Sequence, residues 1–191
     1  MVIVDLDGTL VGCNSFTEFV KFVFRRHPEV RLFLILTVMR RKLRLISHHE
    51  AKERIISRTS GLVTEKDLDD FTSFLHSRIN RKVLDIVKSD SRAILASAAP
   101  ELYARPFGRK AGISVISASR PHEKENRGEQ KLADVVRQGA VFDRNTVVIT
   151  DHHDDLPLLK ANKEGLNYIV KPSRKSLGIL LREGIRFTLL D

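Results

Sequence analysis

Apolar residues follow two rhythms along this chain. Short runs, Val2–Val4, Ala93–Ala96, Ile113–Ile116, Val147–Ile149 and Tyr168–Val170, carry few polar positions. Runs that do not alternate predict strands buried on both faces of a sheet. Between the later runs apolar residues recur at helical spacing, over about Pro100–Phe107, Glu129–Gln138 and Asp155–Asn162. Strand and helix in alternation predict a parallel sheet with right-handed crossovers, an α/β class with helices on both faces. A helix near Ser173–Arg182 and an edge strand near Ile185–Leu189 close the pattern.

Residues 14–82 have another character. Phe16, Phe19, Val20, Val23 and Phe24 recur as one face of a helix. Pro28 can open the next helix, running through Leu32–Met39 toward Ile46, and His48–Ser57 and Asp67–Ile79 predict two more. The expected organisation is a core of residues 1–13 and 83–191 interrupted by a helical bundle over 14–82.

The insert changes the picture of charge. The chain carries a formal charge of +9, and residues 21–58 alone hold eleven Lys or Arg against three Glu. Beside that cluster, Leu32–Met39 is apolar except for Thr37. Such a segment suits a bundle helix with a solvated basic face, an interfacial helix on an anionic membrane, or a site for another polyanion. Nucleic acid is not expected, because few aromatic residues flank the basic run. No apolar run is long enough to span a bilayer. Acids at positions 5 and 7 interrupt any apolar leader, and the one cysteine, Cys13, excludes an internal disulfide; both favour a reducing, cytoplasmic setting. Cys13 has no partnered base nearby in sequence and is expected to fill space.

The chemistry lies where apolar runs end in acids. Met1–Leu10 reads M-V-I-V-D-L-D-G-T-L, so a buried strand stops at Asp5 and Asp7 and Gly8 turns the chain. At the carboxyl edge of a parallel sheet those acids would sit where such folds bind ligands. One carboxylate can attack phosphorus and the other can act as acid and then base. Two acids beside a phosphate also need a divalent cation, and Mg²⁺ suits a site of few carboxylates plus phosphate oxygens. The run Asn145–Leu159, N-T-V-V-I-T-D-H-H-D-D-L-P-L-L, repeats the pattern with Asp151 and Asp155. Its neighbours His152 and His153 leave open a zinc or iron site built from Asp151, His152, His153 and Asp155.

D-L-D-G-T-L resembles motif I of the haloacid dehalogenase-like (HAD) superfamily. R-A-I-L-A-S-A-A-P, ending its strand at Ser97, is similar to motif II. N-R-G-E-Q-K resembles the stretch that places the motif III lysine, here Lys131, with Lys124 as its rival. Asp151 and Asp155 have the D-x-x-x-D spacing of motif IV, although Thr150 and His152 stand where Gly and Ser are usual and Asp154 adds an acid. The resemblance implies a Rossmann-like HAD core with an inserted type I helical cap, as in the phosphoserine-phosphatase-like subfamily IB. It implies a Mg²⁺-dependent phosphatase acting on a phosphorylated small molecule. Asp5 would be the nucleophile and Asp7 the acid and base. Thr9, Ser97 and Lys131 would hold the phosphoryl group, and Asp5, Asp7, Asp151 and Asp155 the metal. The start of the insert, N-S-F-T-E-F-V-K-F-V-F-R-R-H-P, loosely resembles phosphatidylglycerophosphatase-like members, which would act on a lipid head group at the membrane. A phosphotransferase would share every motif. A dehalogenase would need neither Asp7 as acid nor the metal, and a polyanion-binding module would explain the charge but not the motifs.

Overall fold

The computed structural model describes residues 1–190. Its elements in chain order are β1 (Val2–Val4), α1 (Ser15–Arg26), α2 (Arg31–Lys42), α3 (His48–Thr59), α4 (Glu65–Ser77), α5 (Arg81–Lys88), β2 (Ile94–Pro100), α6 (Glu101–Lys110), β3 (Val115–Ser119), α7 (Glu129–Arg137), β4 (Val147–Thr150), α8 (Leu156–Ala161), β5 (Leu166–Val170), α9 (Arg174–Arg182) and β6 (Thr188–Leu190). The strands form one sheet in the order β3-β2-β1-β4-β5-β6, and every pairing is parallel. This is the parallel α/β sheet that the alternating pattern predicts and the Rossmann-like core that the resemblance implies.

Alternate residues of the buried strands serve opposite layers. Val2 and Val4 point into a core shared with α5, α6 and the inserted helices, through Val83, Phe107, Phe19 and Leu75. Ile3 points the other way, with Val148 and Ile169, onto Val135, Leu158 and Leu180 of α7, α8 and α9. Because β1 lies between β2 and β4, the chain reverses its direction of winding at β1. That is where open α/β sheets leave a crevice.

Helices α1 to α4 fill the connection between β1 and the return to the sheet at α5. At its neck the two chain segments pair: Gly12 N donates to Arg78 O (3.1 Å) and Asn80 N to Leu10 O (2.9 Å). An aromatic trio then ties the insert to α6. Phe19 of α1, Phe71 of α4 and Tyr103 of α6 are fully buried, with ring centroids 5.1–5.3 Å apart. Such pairs contribute about 0.5–1.5 kcal/mol each beyond burial.

Several boundaries differ from the sequence reading. The segment opening at Pro28 begins as a 3₁₀ turn, and α2 stops at Lys42 instead of continuing toward Ile46. The stop is a Schellman arrangement: Leu45 N donates to Arg40 O (2.9 Å), Arg44 N to Arg41 O (3.0 Å), and Arg44 sits at φ +59°. Glycine is the usual residue in that conformation, so an arginine gives no stop signal in sequence. The eight-residue α5 was not expected; Asn80 caps it, and Val83, Leu84 and Val87 are buried. β3 runs to Ser119, past the apolar stretch that marks it, because Ser117 is buried and bonded to Asn126. The closing strand is Thr188–Leu190, three residues later than the start expected at Ile185.

Candidate active site

Three adjacent strands, β2, β1 and β4, end side by side, and each carries one of the motifs. Asp5 follows β1 and its amide donates to Ile149 O of β4 (2.9 Å). Asp151 follows β4 directly. Gly8, at φ +74°, lets the chain after Asp7 pass so close to Asp151 that a Cβ would overlap its carboxylate. Glycine is therefore required there for space as well as for conformation.

Lys131, in the first turn of α7, reaches this edge from the other layer. Its Nζ lies 2.9 Å from Asp5 Oδ1 and 2.6 Å from Asp155 Oδ1. The second oxygen of Asp155 accepts from Thr150 Oγ1 (2.6 Å). Lys131 and Asp155 are buried, so this is an enclosed charge triad rather than a surface bridge. Burial pushes the Asp5 carboxyl up to about 8; Lys131 opposes the shift, while Asp155 and Asp7 add to it. For Lys131, burial works against the ammonium, but Asp155 and Asp5 more than offset it and hold its pKa above the ordinary value. Lys124, the rival, is exposed.

Asp7 is held by the insert. Its Oδ1 accepts the backbone N–H of Ser15 (2.8 Å), the first residue of α1. The Ser15 hydroxyl in turn pairs with Tyr103 Oη (3.1 Å). A helix N-terminus favours an anion, yet burial prevails and the Asp7 carboxyl lies above its usual range. Thr9 is buried in the same turn, and its hydroxyl has no hydrogen-bond partner. Cys13 is half-buried, and burial raises its thiol pKa, an environment that does not activate a nucleophile.

The donor set suits a hard divalent cation. Asp5, Asp7 and Asp151 offer oxygens only. Burial raises Asp5 to about 8 and Asp151 to about 6, so ionising Asp5 at neutral pH calls for positive charge beyond Lys131. Asp155 is different, because its two oxygens face Lys131 and Thr150. The histidines do not join these acids. Side-chain atoms of His152, His153 and Asp154 gather within 4.8 Å of one another, leaving Asp151 and Asp155 outside the group. His152 Nδ1 lies 2.7 Å from Asp154 Oδ2, and His153 Nδ1 pairs with Ser176 Oγ of α9 (3.1 Å). His152 is thus paired with an acid and His153 is tied to α9, so the zinc or iron site left open by the sequence is not formed from these four residues.

Ser97 sits where the pairing of β2 with β3 shifts register between Ala96 and Pro100. Its hydroxyl accepts from Ala99 N (3.0 Å), which folds the strand end into a turn. Five residues absent from the sequence reading hold that turn, three directly and two through them. Asn126 Nδ2 donates to Ser97 O (3.1 Å) and Ser117 Oγ (2.9 Å). Ser119 Oγ donates to Ala98 O (2.8 Å). Lys52, from α3, donates to Ala98 O as well and pairs with Glu125 at 2.6 Å. Burial disfavours the Glu125 carboxylate, but Lys52 more than compensates and lowers its pKa. The polar stretch Ser117–Gly128, with Lys52, is thus the clamp of the Ser97 turn. Its only signal in sequence was a polar segment following a strand next to the site. Beyond the Lys52–Glu125 pair lies a cavity of about 1050 Å³ between the insert and the core, with Phe33, Ile56, Leu102 and Arg105 on its walls.

A buried carboxylate nucleophile candidate, a paired lysine and a second acid at the edge of a parallel sheet define a hydrolase-type site. The chain belongs to the haloacid dehalogenase-like hydrolases, whose family model matches residues 2–160. No curated protein matches it. Among solved structures it is similar to a protein of unknown function from Bordetella pertussis Tohama I, with 18% identity over 100% of this chain and 97% of that one and a TM-score of 0.75. A phosphoserine phosphohydrolase-like protein from Francisella tularensis subsp. tularensis SCHU S4 shares 16% identity over 94% and 91%, at a TM-score of 0.59. A phospho-aspartyl intermediate analogue of phosphoserine phosphatase shares 14% identity over 98% and 91%, at 0.54. At these identities the likeness is one of fold, the fold of phosphoserine-phosphatase-like HAD hydrolases.

Proposed function

We propose that this chain is a Mg²⁺-dependent phosphomonoesterase that forms an aspartyl-phosphate on Asp5. The observation that carries the reading is Lys131 fixed between Asp5 and Asp155, at 2.9 and 2.6 Å. It places a cation beside one oxygen of a carboxylate that is otherwise enclosed. An Asp5 oxygen attacks phosphorus and the bond from phosphorus to the ester oxygen breaks. Asp7, whose raised pKa lets it carry a proton, gives that proton to the leaving oxygen. Asp7 then takes a proton from water as the water attacks the same phosphorus, the bond from phosphorus to Asp5 breaks, and inorganic phosphate leaves. Thr9, Ser97 and Lys131 hold phosphoryl oxygens. Asp5, Asp151 and the Asp7 main-chain carbonyl would hold Mg²⁺, with Asp155 as a further oxygen donor, and the ion would supply positive charge against the phosphoryl group. Asp155 keeps Lys131 in place. Residues 14–82 serve as a cap over a core of 1–13 and 83–191. The substrate is a phosphorylated small molecule, in keeping with neighbours described as phosphoserine phosphatases, and its leaving group extends into the cavity beyond Lys52. The setting is cytoplasmic; among the described residues no helix is long and apolar enough to cross a membrane.

The test is phosphate release from an aryl phosphate with and without Mg²⁺, comparing the native chain with Asp5→Asn. Turnover that requires both the cation and Asp5 supports the proposal. Near-normal turnover by Asp5→Asn overturns the covalent route, and turnover indifferent to Mg²⁺ overturns the metal.

A further inference from the structure

Helix α2 is apolar on two opposite faces, and only one of them is buried. Leu34 and Thr37 face the bundle. Leu32, Ile35, Leu36, Met39 and Leu43, at successive offsets of three, one, three and four, form a continuous stripe in which each residue is 45–69 % exposed. Leu45 prolongs the stripe past the Schellman turn, itself 69 % exposed. A soluble monomer gains nothing from an aliphatic stripe of this length in water.

Charge frames the stripe. Arg31 stands at its start, and Arg40, Arg41, Lys42 and Arg44 at its end. From Val30 to His49 the sequence contains no Asp or Glu. Among the described residues Arg40, Arg41, Lys42 and Arg44 enter no ion pair, whereas Arg26 and Lys110 are bridged to the acids of α4. Those acids of α4 are thus paired elsewhere, and none is placed here.

We infer that this face of α2 docks on an anionic bilayer, with the aliphatic stripe at the acyl boundary and the arginine cluster at the head groups. The pairing of an exposed aliphatic stripe with uncompensated basic residues is the signature of an interfacial helix, and clustered basic residues add binding to anionic lipid that salt weakens. A second copy of the chain is a poorer occupant. An isologous contact through the stripe would bring two arginine clusters together, in chains that each carry +9. A nucleic acid would take the charge but would leave the aliphatic side chains without partners. The inference rests on the α2 face alone and is independent of the chemistry assigned to Asp5.

The experiment is co-sedimentation of the full chain with phosphatidylcholine vesicles, with or without roughly 30 % phosphatidylglycerol, at low and high salt. Binding to the anionic vesicles only, weakened at high salt, is the expected result. Leu36→Asp with Met39→Asp, and separately Arg40→Gln with Arg41→Gln and Lys42→Gln, should each lower the bound fraction at least ~10-fold. The thermal midpoint serves as the control that both variants fold, because every replaced side chain is exposed. No binding by the native chain overturns the inference, as does equal binding to neutral vesicles or binding that survives both sets of substitutions. Sedimentation velocity closes the remaining route: a native dimer that Leu36→Asp with Met39→Asp turns into a monomer identifies a second copy as the occupant and overturns the bilayer.

Discussion

Lys131 and the Arg40–Arg44 cluster are two ways of using positive charge in one chain. Lys131 is buried, touches two carboxylates and has a raised pKa because of them. The α2 cluster is exposed, faces no acid and lies beside uncovered aliphatic side chains. A compensated buried cation can serve only what enters the enclosure, here the proposed phosphoryl group. An uncompensated exposed cluster is satisfied only by something outside the molecule. Catalysis and attachment are thereby assigned to different regions, and each can be broken without the other.

The largest separation is expected from Asp5→Asn, which should raise the barrier by about 4 kcal/mol, roughly a thousandfold in turnover, while leaving vesicle binding intact. Turnover of an aryl phosphate and co-sedimentation on the same preparation check both halves. Next is Lys131→Met, which leaves Asp5 and Asp155 enclosed without their cation. A stability loss of about 3 kcal/mol is expected in urea unfolding, smaller at pH 5 than at pH 8 because a protonated Asp5 no longer needs the partner. Asn126→Ala leaves the Ser97 carbonyl and the Ser117 hydroxyl without their donor in a buried site. It should cost about 2 kcal/mol and raise KM for phosphate esters by loosening the Ser97 turn.

The metal response should depend on pH in a defined direction. Asp5 titrates at about 8 in the folded chain, against an ordinary value of 3.8. The folded state keeps a proton that the unfolded state has released, so without metal, stability should fall as pH rises from about 4 to 8. A cation that binds ionised Asp5 competes with that proton. Mg²⁺ affinity by calorimetry should therefore strengthen between pH 6 and pH 8, by at most about tenfold per unit. A flat profile would mean that Asp5 is not a ligand. The smallest effect sharpens the other half of the comparison: Arg40→Gln should change stability by no more than about 0.5 kcal/mol, since the side chain touches no acid.

What was legible in the sequence were features written along a single strand. Buried runs that end in Asp5 and Asp151 announce themselves, because an apolar strand has no other reason to stop at an acid. The alternation of runs along the chain was enough to anticipate the sheet and the inserted helices, whereas Lys131 was picked out only by the resemblance of N-R-G-E-Q-K to motif III. Features written between elements were not legible. Lys52 looks like any basic residue of α3, and only the fold shows it reaching across to Ala98 and Glu125. Asn126 lies in a polar stretch whose composition says loop, although its amide spans two strands. Asp155 satisfies the metal-motif spacing, but the spacing cannot tell that Lys131 and Thr150 occupy its oxygens. The α2 stripe was visible as apolar sequence, and which of its faces meets the bundle was not, because both faces carry the helical period.

The position of β1 has a consequence for synthesis. β1 pairs with residues 94–95 on one side and 147–149 on the other, so within this sheet β1 leaves the ribosome before both of its neighbours. At translation rates of about 5–20 residues per second, Val2–Val4 waits roughly 5–20 seconds for β2 and roughly 7–30 seconds for β4. Asp5 acquires Lys131 and Asp155 only at the end of that interval. The reactive centre is therefore among the last parts of a nascent chain to assemble, and a ribosome-bound fragment that ends before β4 would hold the insert's helices but no site.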